Sequence, residues 1–534
     1  MPKITVNGKI VDVPKGRTVL QALDDIGLLM NGVDIPHYCW HPKLSIDGSC
    51  RLCQIEVEGM PKLQVACSVA VEEGMVLRTD TERVQNARRG VMELLLVDHP
   101  LDCPICDQAG ECKLQDYAFE YGVESSRTRE PRRAKQKNVD LGPTIVFDQE
   151  RCILCRRCTR FCNEISETGE LVVMNRGDES RIETFPGVPL DNPYSMNVAD
   201  ICPVGALTTK DFRFKIRVWF LEDVPGICTG CSNGCNIHLG VANNKVHRYL
   251  PRRNDAVNDT WICDAGRMSY REIGATDRLQ HALVRGSLGV PEATSFDAAI
   301  DASAARLSRL RDSKGPAAIA VVASAHATNE DLSVLRRLLD GLGVASAGVA
   351  VVRGEADDRL IKADKAANAA GAKALGFGDA GSLVEKLRKG EIRGLISLGH
   401  DLVDALGDVG PLEDLDTLIV LDTHHSALQR VAHVMFPVRH LAEKVGTVVN
   451  VAGLVQRVRP AVEPAWEAHA EGEVIARIGH ALGLAGFDGR FDPREESKRL
   501  GADYPAFAGI DWNSVGESGS PLAEFENAPE GSRG

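Results

Sequence analysis

Fifteen cysteines and one histidine of this chain fall into four consecutive groups of four, and thiolate and imidazole are the side chains that hold soft and borderline metals. The first group is Cys39, Cys50, Cys53 and Cys67, spaced C-x10-C-x2-C-x13-C. The second lies in DHPLDCPICDQAGEC, 98–112, as His99, Cys103, Cys106 and Cys112, spaced H-x3-C-x2-C-x5-C. The run CILCRRCTRFC gives the third, Cys152, Cys155 and Cys158, with Cys162 or the distant Cys202 as the fourth member. The last is Cys228, Cys231, Cys235 and Cys263, spaced C-x2-C-x3-C-x27-C. All 16 cysteines lie between Cys39 and Cys263. The N-terminus, MPKITVNGKIVDVPKG, lacks the apolar core of a secretory signal, so a reducing, cytoplasmic setting is expected. Clustered cysteines there point to metal or catalysis rather than to disulfides.

Each spacing has its own chemistry. The Cys39 loop predicts a [2Fe–2S] site, because backbone N–H groups of a loop can turn inward toward sulfide and thiolate charge, and Gly48 and Ser49 permit such a turn. Its first gap is longer than in ordinary plant-type ferredoxins, and a structural zinc is the competing reading. The His99 motif alone also fits a zinc site of three thiolates and one imidazole. The Cys152 run is the bacterial ferredoxin pattern for a [4Fe–4S] cluster, whose last cysteine serves a second cluster where two exist. No second run is present here. Cys202, followed by Pro203, is therefore assigned with Cys152, Cys155 and Cys158, and Cys162 is left as a spare, buried thiol. Four ligands per set then require His99 to be one. His37 and His41 flank Cys39 and are expected to pack or to support the ligands, and His424 and His425 have no cysteine near them in sequence.

These residues need elements to place them. KITVNGKIVDV reads as a hairpin around Asn7-Gly8, and Thr18 as the cap of a helix through VLQALDD. NARRGVMELLLVD predicts a helix that ends at His99, and Pro100 and Pro104 stiffen the loop after it. From about residue 275 the composition turns to Ala, Gly, Val and Leu. GPAAIAVVASAHATNEDLSVLRRLLDGLG, RGLISLGHDLVDAL and DTLIVLDTHHSALQRVAHVMFPV each read as strand, turn and helix, which predicts a doubly wound parallel sheet. No G-x-G-x-x-G joins a strand to a helix, so no nucleotide site is expected. The basic stretch 127–140 reads as a solvated linker or as a bridge to an acidic partner surface. The tail from about Gly486 is expected to be loosely ordered. A net charge of -13 argues against nucleic-acid binding, and no apolar run is long enough to span a membrane.

The order of these motifs resembles the large iron–sulfur subunits of the respiratory NADH:quinone oxidoreductases (complex I), over about residues 1–275, with H-x3-C-x2-C-x5-C as the most specific element. The same N-terminal module is similar to that of soluble NAD-linked hydrogenases and formate dehydrogenases, and Cys162 is closer to those relatives. The Cys228–Cys263 set resembles the cluster domain of molybdopterin oxidoreductases. HLAEKVGTVVNVAGLVQRV resembles their EKxGTxxNxEGRxQ stretch. The resemblance implies one [2Fe–2S] and three [4Fe–4S] clusters, the last off the main electron path. With no cysteine after Cys263 and a short second half, no molybdopterin is expected.

The resulting expectation is an α/β multi-domain chain. It has a plant-type ferredoxin-like domain (1–78), a domain for the one-histidine, three-cysteine [4Fe–4S] site (79–120), a linker and [4Fe–4S] ferredoxin-like domain (121–220) and a molybdopterin-oxidoreductase-type cluster domain (221–275). A degenerate α/β domain of that family (276–485) and the tail (486–534) complete it. By resemblance, electrons enter from an NADH-oxidising flavoprotein and pass the binuclear, Cys152 and His99 sites in turn. They leave to further iron–sulfur subunits of the peripheral arm, on the cytoplasmic side of the cell membrane, and the chain meets the membrane only through the complex. A zinc-stapled scaffold, a self-contained molybdenum enzyme and a soluble hydrogenase or formate dehydrogenase subunit are the rivals.

Overall fold

Asn7 and Gly8 both take positive φ, 49° and 84°, and turn the strand Lys3–Val6 back on Lys9–Asp12. Thr18 and Gln21 form a reciprocal capping box that starts the helix Val19–Asp25. The computed structural model describes residues 1–29 and 31–523 and divides into two units, Met1–Leu221 and Glu222–Gly534. In the first, the hairpin joins a five-stranded sheet with Val76–Arg78, Gln54–Val57 and Gln64–Val65. Ile4, Leu20, Leu23, Ile55 and Leu77 pack between sheet and helix, and Cys53 and Cys67 belong to the same core. A long helix, Glu82–Leu96, capped by Thr81, delivers the chain to His99. A shorter one, Lys113–Tyr121, leaves from Cys112. Beyond the linker a small sheet of Val139–Asp140, Ile145–Phe147 and Leu207–Thr209 accompanies the helix Arg157–Glu164.

The second unit opens with an antiparallel sheet, Glu222–Ile227, Asn236–Ala242 and Lys245–Pro251. Its main sheet has eight strands. Six run parallel in the order Val434–Pro437, Thr417–Asp422, Gly394–Leu398, Ile319–Ser324, Ser346–Ala350 and Gly378–Asp379. The hairpin Ala282–Arg285 and Pro291–Thr294 adds an antiparallel edge. Strand alternation sorts the core in two: Ile319, Val321, Ile396, Ile419 and Leu421 face one apolar cluster, and Ala320, Val322, Leu395, Leu418 and Val420 face the other. Helices cover both faces, as a parallel sheet requires.

Two expectations are corrected. The crossover after Thr417–Asp422 contains only the single turn Ala427–Arg430 instead of a helix. Residues 423–425 are held by backbone bonds to the 277–279 segment, which leaves too little chain for a helical return. The segment expected to be loose from Gly486 is ordered through residue 523. Asp492 caps the helix Pro493–Asp503, Glu496 accepts from Ser333 at 2.6 Å and Arg337 at 2.7 Å, and Leu500, Phe507, Val515 and Leu522 are buried in the core. Its polar average concealed four well-spaced apolar anchors. Residues 524–534 of that tail lie outside the described residues.

The EKVGTVVN stretch is a buried polar seam. Glu443 pairs with Arg278 at 2.8 Å, and Lys444 lies between Asp331 at 3.0 Å and Glu471 at 2.5 Å. Gly446 leaves no room for a side chain, since a Cβ would stand 2.6 Å from Thr328 and 2.7 Å from Glu330. Thr447 donates its N–H and its hydroxyl to Glu330, at 2.7 and 2.8 Å. Burial pushes Glu330 up to about 7 despite those two donors. A carboxyl raised from its unfolded value of 4.5 stabilises the fold fully below that value, and its contribution is lost as pH rises through about 7. Glu330→Gln is thus expected to stabilise the second unit at pH 8 by on the order of 1–3 kcal/mol and to flatten the pH dependence between 5 and 8. Urea melts followed by circular dichroism across that range test it; an unchanged slope refutes the assignment.

Candidate functional site

In the first unit three thiol-rich centres abut. Around the first, Gly48 and Arg51 take positive φ, 68° and 57°, so the loop folds under Cys39. The Cys39 thiol interacts with those of Cys50 and Cys67 and with the N–H groups of Ser49 and Cys50; the Cys53 thiol interacts with that of Cys67. These contacts hold Cys39 and Cys53 below the ordinary thiol value, while the Cys50 and Cys67 thiols are pushed up, as expected of thiols that share protons. His37 and His41 stay outside the set. His37 bonds Ile35 O at 2.8 Å and stands edge-on to Trp40, and His41 Nδ1 accepts from Lys43 N.

The third centre is the most closely defined. Cys152, Cys155, Cys158 and Cys202 all line one small cavity, with Phe147, Ile182 and Leu207 among its walls. Leu154 and Arg156 take positive φ, 53° and 58°, and the Leu154 N–H donates to Cys152 Sγ at 3.4 Å. Burial pushes Cys152 and Cys202 up to about 12. Cys162 is fully buried but does not line that cavity; its thiol faces Glu170 and Ser166.

At the second centre the Cys103, Cys106 and Cys112 thiols are electrostatic neighbours of one another. The loop after Cys202 reaches them: Cys112 Sγ approaches Pro203 O at 3.8 Å, and a Cβ on Gly205 would stand 2.2 Å from Cys106 Sγ. His99 Nδ1 is buried and has no hydrogen-bond partner. Burial first, then the Arg151 guanidinium, push His99 down to about 4, so its ring is neutral at pH 7. Arg151, the residue before Cys152, pairs with Asp102 at 3.0 Å and Asp148 at 3.3 Å, and Lys137 binds both carboxylates from the linker. Two more residues of that basic stretch also spend charge within the chain, Arg127 on Glu93 and Arg133 on Asp178.

The fourth centre belongs to the second unit. The thiols of Cys228, Cys231, Cys235 and Cys263 are mutual electrostatic neighbours; Asn233 Nδ2 donates to Cys235 Sγ at 3.1 Å and Gly266 N to Cys263 Sγ at 3.3 Å. A Cβ on Gly266 would lie 2.9 Å from Cys228 Sγ. Asn450 and Gln456, from the seam stretch, donate to Asn233 O at 3.2 Å and Gly234 O at 3.0 Å and fix this loop.

These centres fit clusters on their own geometry. The features are distributed among them: a thiol-walled gap at the Cys152 set, N–H donors aimed at Cys152 and Cys263, glycines where a Cβ would strike Cys106 and Cys228, and the orphaned Nδ1 of His99. Among the described residues no three such side chains converge tightly enough to chelate a single ion.

Sequence reasoning missed a cavity of about 720 Å³ in the second unit, at the C-terminal ends of the parallel strands. Ser324, His326, Gly399, His400, Asp401 and Asp422 line it. His400 Nδ1 pairs with Asp422 at 2.9 Å, and that contact raises it to about 9. His424 lies on the same wall, with both ring nitrogens engaged by Thr423 and Glu272. The signal was present: VASAH, SLGHD and VLDTHH each carry a His or Asp at a strand's last residue or just beyond it. It lies where open parallel sheets take ligands.

Family models match along the chain in the order of these centres. They are a 2Fe-2S iron-sulfur cluster binding domain (2–82), the NADH-ubiquinone oxidoreductase-G iron-sulfur binding region (88–127) and the ferredoxin-like domain of NADH-quinone oxidoreductase subunit 3 (142–208). The molybdopterin oxidoreductase Fe4S4 domain (221–274) and molybdopterin oxidoreductase (358–481) follow. Among curated proteins the chain is similar to the NADH-quinone oxidoreductase G subunit of Rickettsia bellii, 39% identical over 64% of this chain and 49% of that protein. The Streptomyces coelicolor protein of the same name is 38% identical over 58% and 37%. The mitochondrial NADH dehydrogenase [ubiquinone] iron-sulfur protein 1 of Solanum tuberosum is 40% identical over 64% and 45%. The matched region thus spans about half the length of these relatives. A solved NAD+-reducing [NiFe]-hydrogenase chain matches at 29% identity over 41% of this chain and 91% of its own, with a TM-score of 0.36.

Proposed function

We propose that this chain, similar over about two thirds of its length to the G subunits of NADH-quinone oxidoreductases, belongs with them and is an iron–sulfur electron carrier between an NADH-oxidising flavoprotein and further iron–sulfur subunits on the way to quinone. One observation carries the reading: the Cys152 centre touches the Cys39 loop on one side and the His99 centre on the other. When bound, one [2Fe–2S] and three [4Fe–4S] cores would each take up and release a single electron. The residues that would hold them are Cys39, Cys50, Cys53 and Cys67; His99, Cys103, Cys106 and Cys112; Cys152, Cys155, Cys158 and Cys202; and Cys228, Cys231, Cys235 and Cys263. The protein's own part is to space these sets, keep water from the buried thiols and set the charge around them. Cys103 alone of these cysteines is exposed, which supports a handover to a partner carrier from the His99 centre.

No helix among the described residues is long and apolar enough to cross a membrane, and a peripheral place on the cytoplasmic face of the complex accords with the reading. The second unit serves as a scaffold for the Cys228 centre, without molybdopterin.

Iron, acid-labile sulfide, zinc and molybdenum per chain, measured on anaerobically purified protein, test the proposal. About 14 iron atoms and as many sulfides are expected for one binuclear and three tetranuclear cores. About four zinc atoms without sulfide would refute electron transfer, and one molybdenum would refute the scaffold. The same assay reads a variant: in Gly205→Ala the new methyl displaces the Cys106 sulfur, and iron is expected to fall by about four, the His99 signal going first. Full iron retention in that variant would show that Cys106 needs no such clearance.

A further inference from the structure

The Cys152 run is studded with arginines, and they differ in what balances their charge. Arg156 pairs with Asp47, and Arg151 pairs with Asp102 and Asp148. Arg157 has no carboxylate partner among the described residues. Its guanidinium instead donates to two carbonyls, Ile201 O at 3.1 Å and Trp40 O at 2.5 Å, the neighbours of Cys202 and Cys39. Its Nε is buried and makes no hydrogen bond. It lines the Cys152 cavity, and the charges it feels most are thiols of two different sets, Cys155 and Cys202 on one side, Cys39 and Cys50 on the other.

A cation withdrawn from water without a counter-carboxylate is costly unless other negative charge meets it. Here the groups able to supply that charge are the ligands of two neighbouring centres. We propose that Arg157 is a shared electrostatic tuner, one fixed cation in the gap between the Cys39 and Cys152 sets that favours electron uptake at both. An added electron is an added negative charge in a low-dielectric site, and a cation nearby stabilises it in proportion to its closeness. Because the same charge serves both sets, it raises both potentials together and keeps the step between them nearly level. Two independently tuned sites would lack this property. The inference rests on the electron-transfer reading.

The test is an EPR-monitored redox titration of the full, cluster-loaded chain and of two variants. In Arg157→Gln both midpoints are expected to fall, each by up to a tenfold loss in the reduced-to-oxidised ratio at fixed potential, or about 59 mV for one electron. Arg157→Lys keeps the charge and loses the two-carbonyl fork, and both midpoints are expected to return near the parental values. Unmoved midpoints in Arg157→Gln, a fall at one site alone, or an equal fall in Arg157→Lys would overturn the proposal. Should Arg157→Gln fail to hold a cluster, Arg157→Lys decides by itself, since both of its midpoints must then stay near the parental ones. Parental protein with no reducible signal from either set would instead remove the electron-transfer reading, which separates the two failures.

Discussion

Cys202→Ala is expected to strip the chain of about four of the roughly 14 iron atoms proposed for it and to isolate the two centres on either side. The cavity lined by Cys152, Cys155, Cys158 and Cys202 belongs to the middle one of the three centres in the first unit, reached from Cys39 through Arg157 and Arg160 and from Cys106 through the Gly205 loop. After the substitution, dithionite should still reduce the binuclear centre, but a donor docked there should no longer reduce the His99 centre. Rapid-freeze EPR distinguishes the two. The paired control is Cys162→Ala, whose thiol lies against Glu170 and Ser166 away from the cavity, and which should leave iron content unchanged. Iron lost from the control but retained in Cys202→Ala would exchange the roles of the two cysteines.

Lys444→Ala should lower the stability of the second unit by about 3–5 kcal/mol, the cost of breaking a buried ion pair from one side. The ammonium is nearly inaccessible and lies between Asp331 and Glu471, which are buried with it. Burial alone would push the Asp331 carboxyl up, and the Lys444 ammonium together with donors from Gly472 and Thr328 outweighs it and holds Asp331 below the usual carboxylate range. Glu471 is pushed by burial to about 7 even with the lysine present. Without it both carboxyls rise, so each stabilises the fold at low pH and loses that contribution as pH climbs through its folded value. The destabilisation is therefore expected to be larger at pH 8 than at pH 5. Adding Asp331→Asn to Lys444→Ala should recover part of the loss at pH 8. Urea melts at the two pH values check both statements, and a loss below about 1 kcal/mol would mean that water reaches the carboxylates.

The parts of this protein that could be read from sequence are those whose meaning is local. Asn7-Gly8, the Thr18 cap and the short-spaced cysteine runs each act within a few residues, and the ligand tally that proposes His99 needs no third dimension. What escaped depends on loops that meet only after folding. Arg157 is one basic residue among four until Trp40 and Ile201 arrive on either side of it. Asp422 ends one strand and His400 follows another by two residues, and their pairing follows from strand order rather than from spacing. Glu330 stands in a helix's first turn, where acidic residues are ordinary, and nothing local shows that the strand Gly446–Val449 packs over it. The tail misled for a different reason: composition averages over residues, while burial is decided by Leu500, Phe507, Val515 and Leu522 one at a time.

The EKVGTVVN stretch, which looks like a signature of an enzyme family, does no chemistry that its contacts reveal. Glu443 holds Arg278, Lys444 joins two helix starts, Gly446 clears Thr328, Thr447 seals Glu330 and Asn450 props the loop of Cys228. A descendant of a catalytic ancestor can lose its catalyst and still be unable to change one of these letters without loosening the sheet. Drift would then erase the residues that touched a substrate and spare those that touch one another. In such a lineage the most recognisable words of the sequence record how the chain is held shut, long after they have stopped recording what it once did.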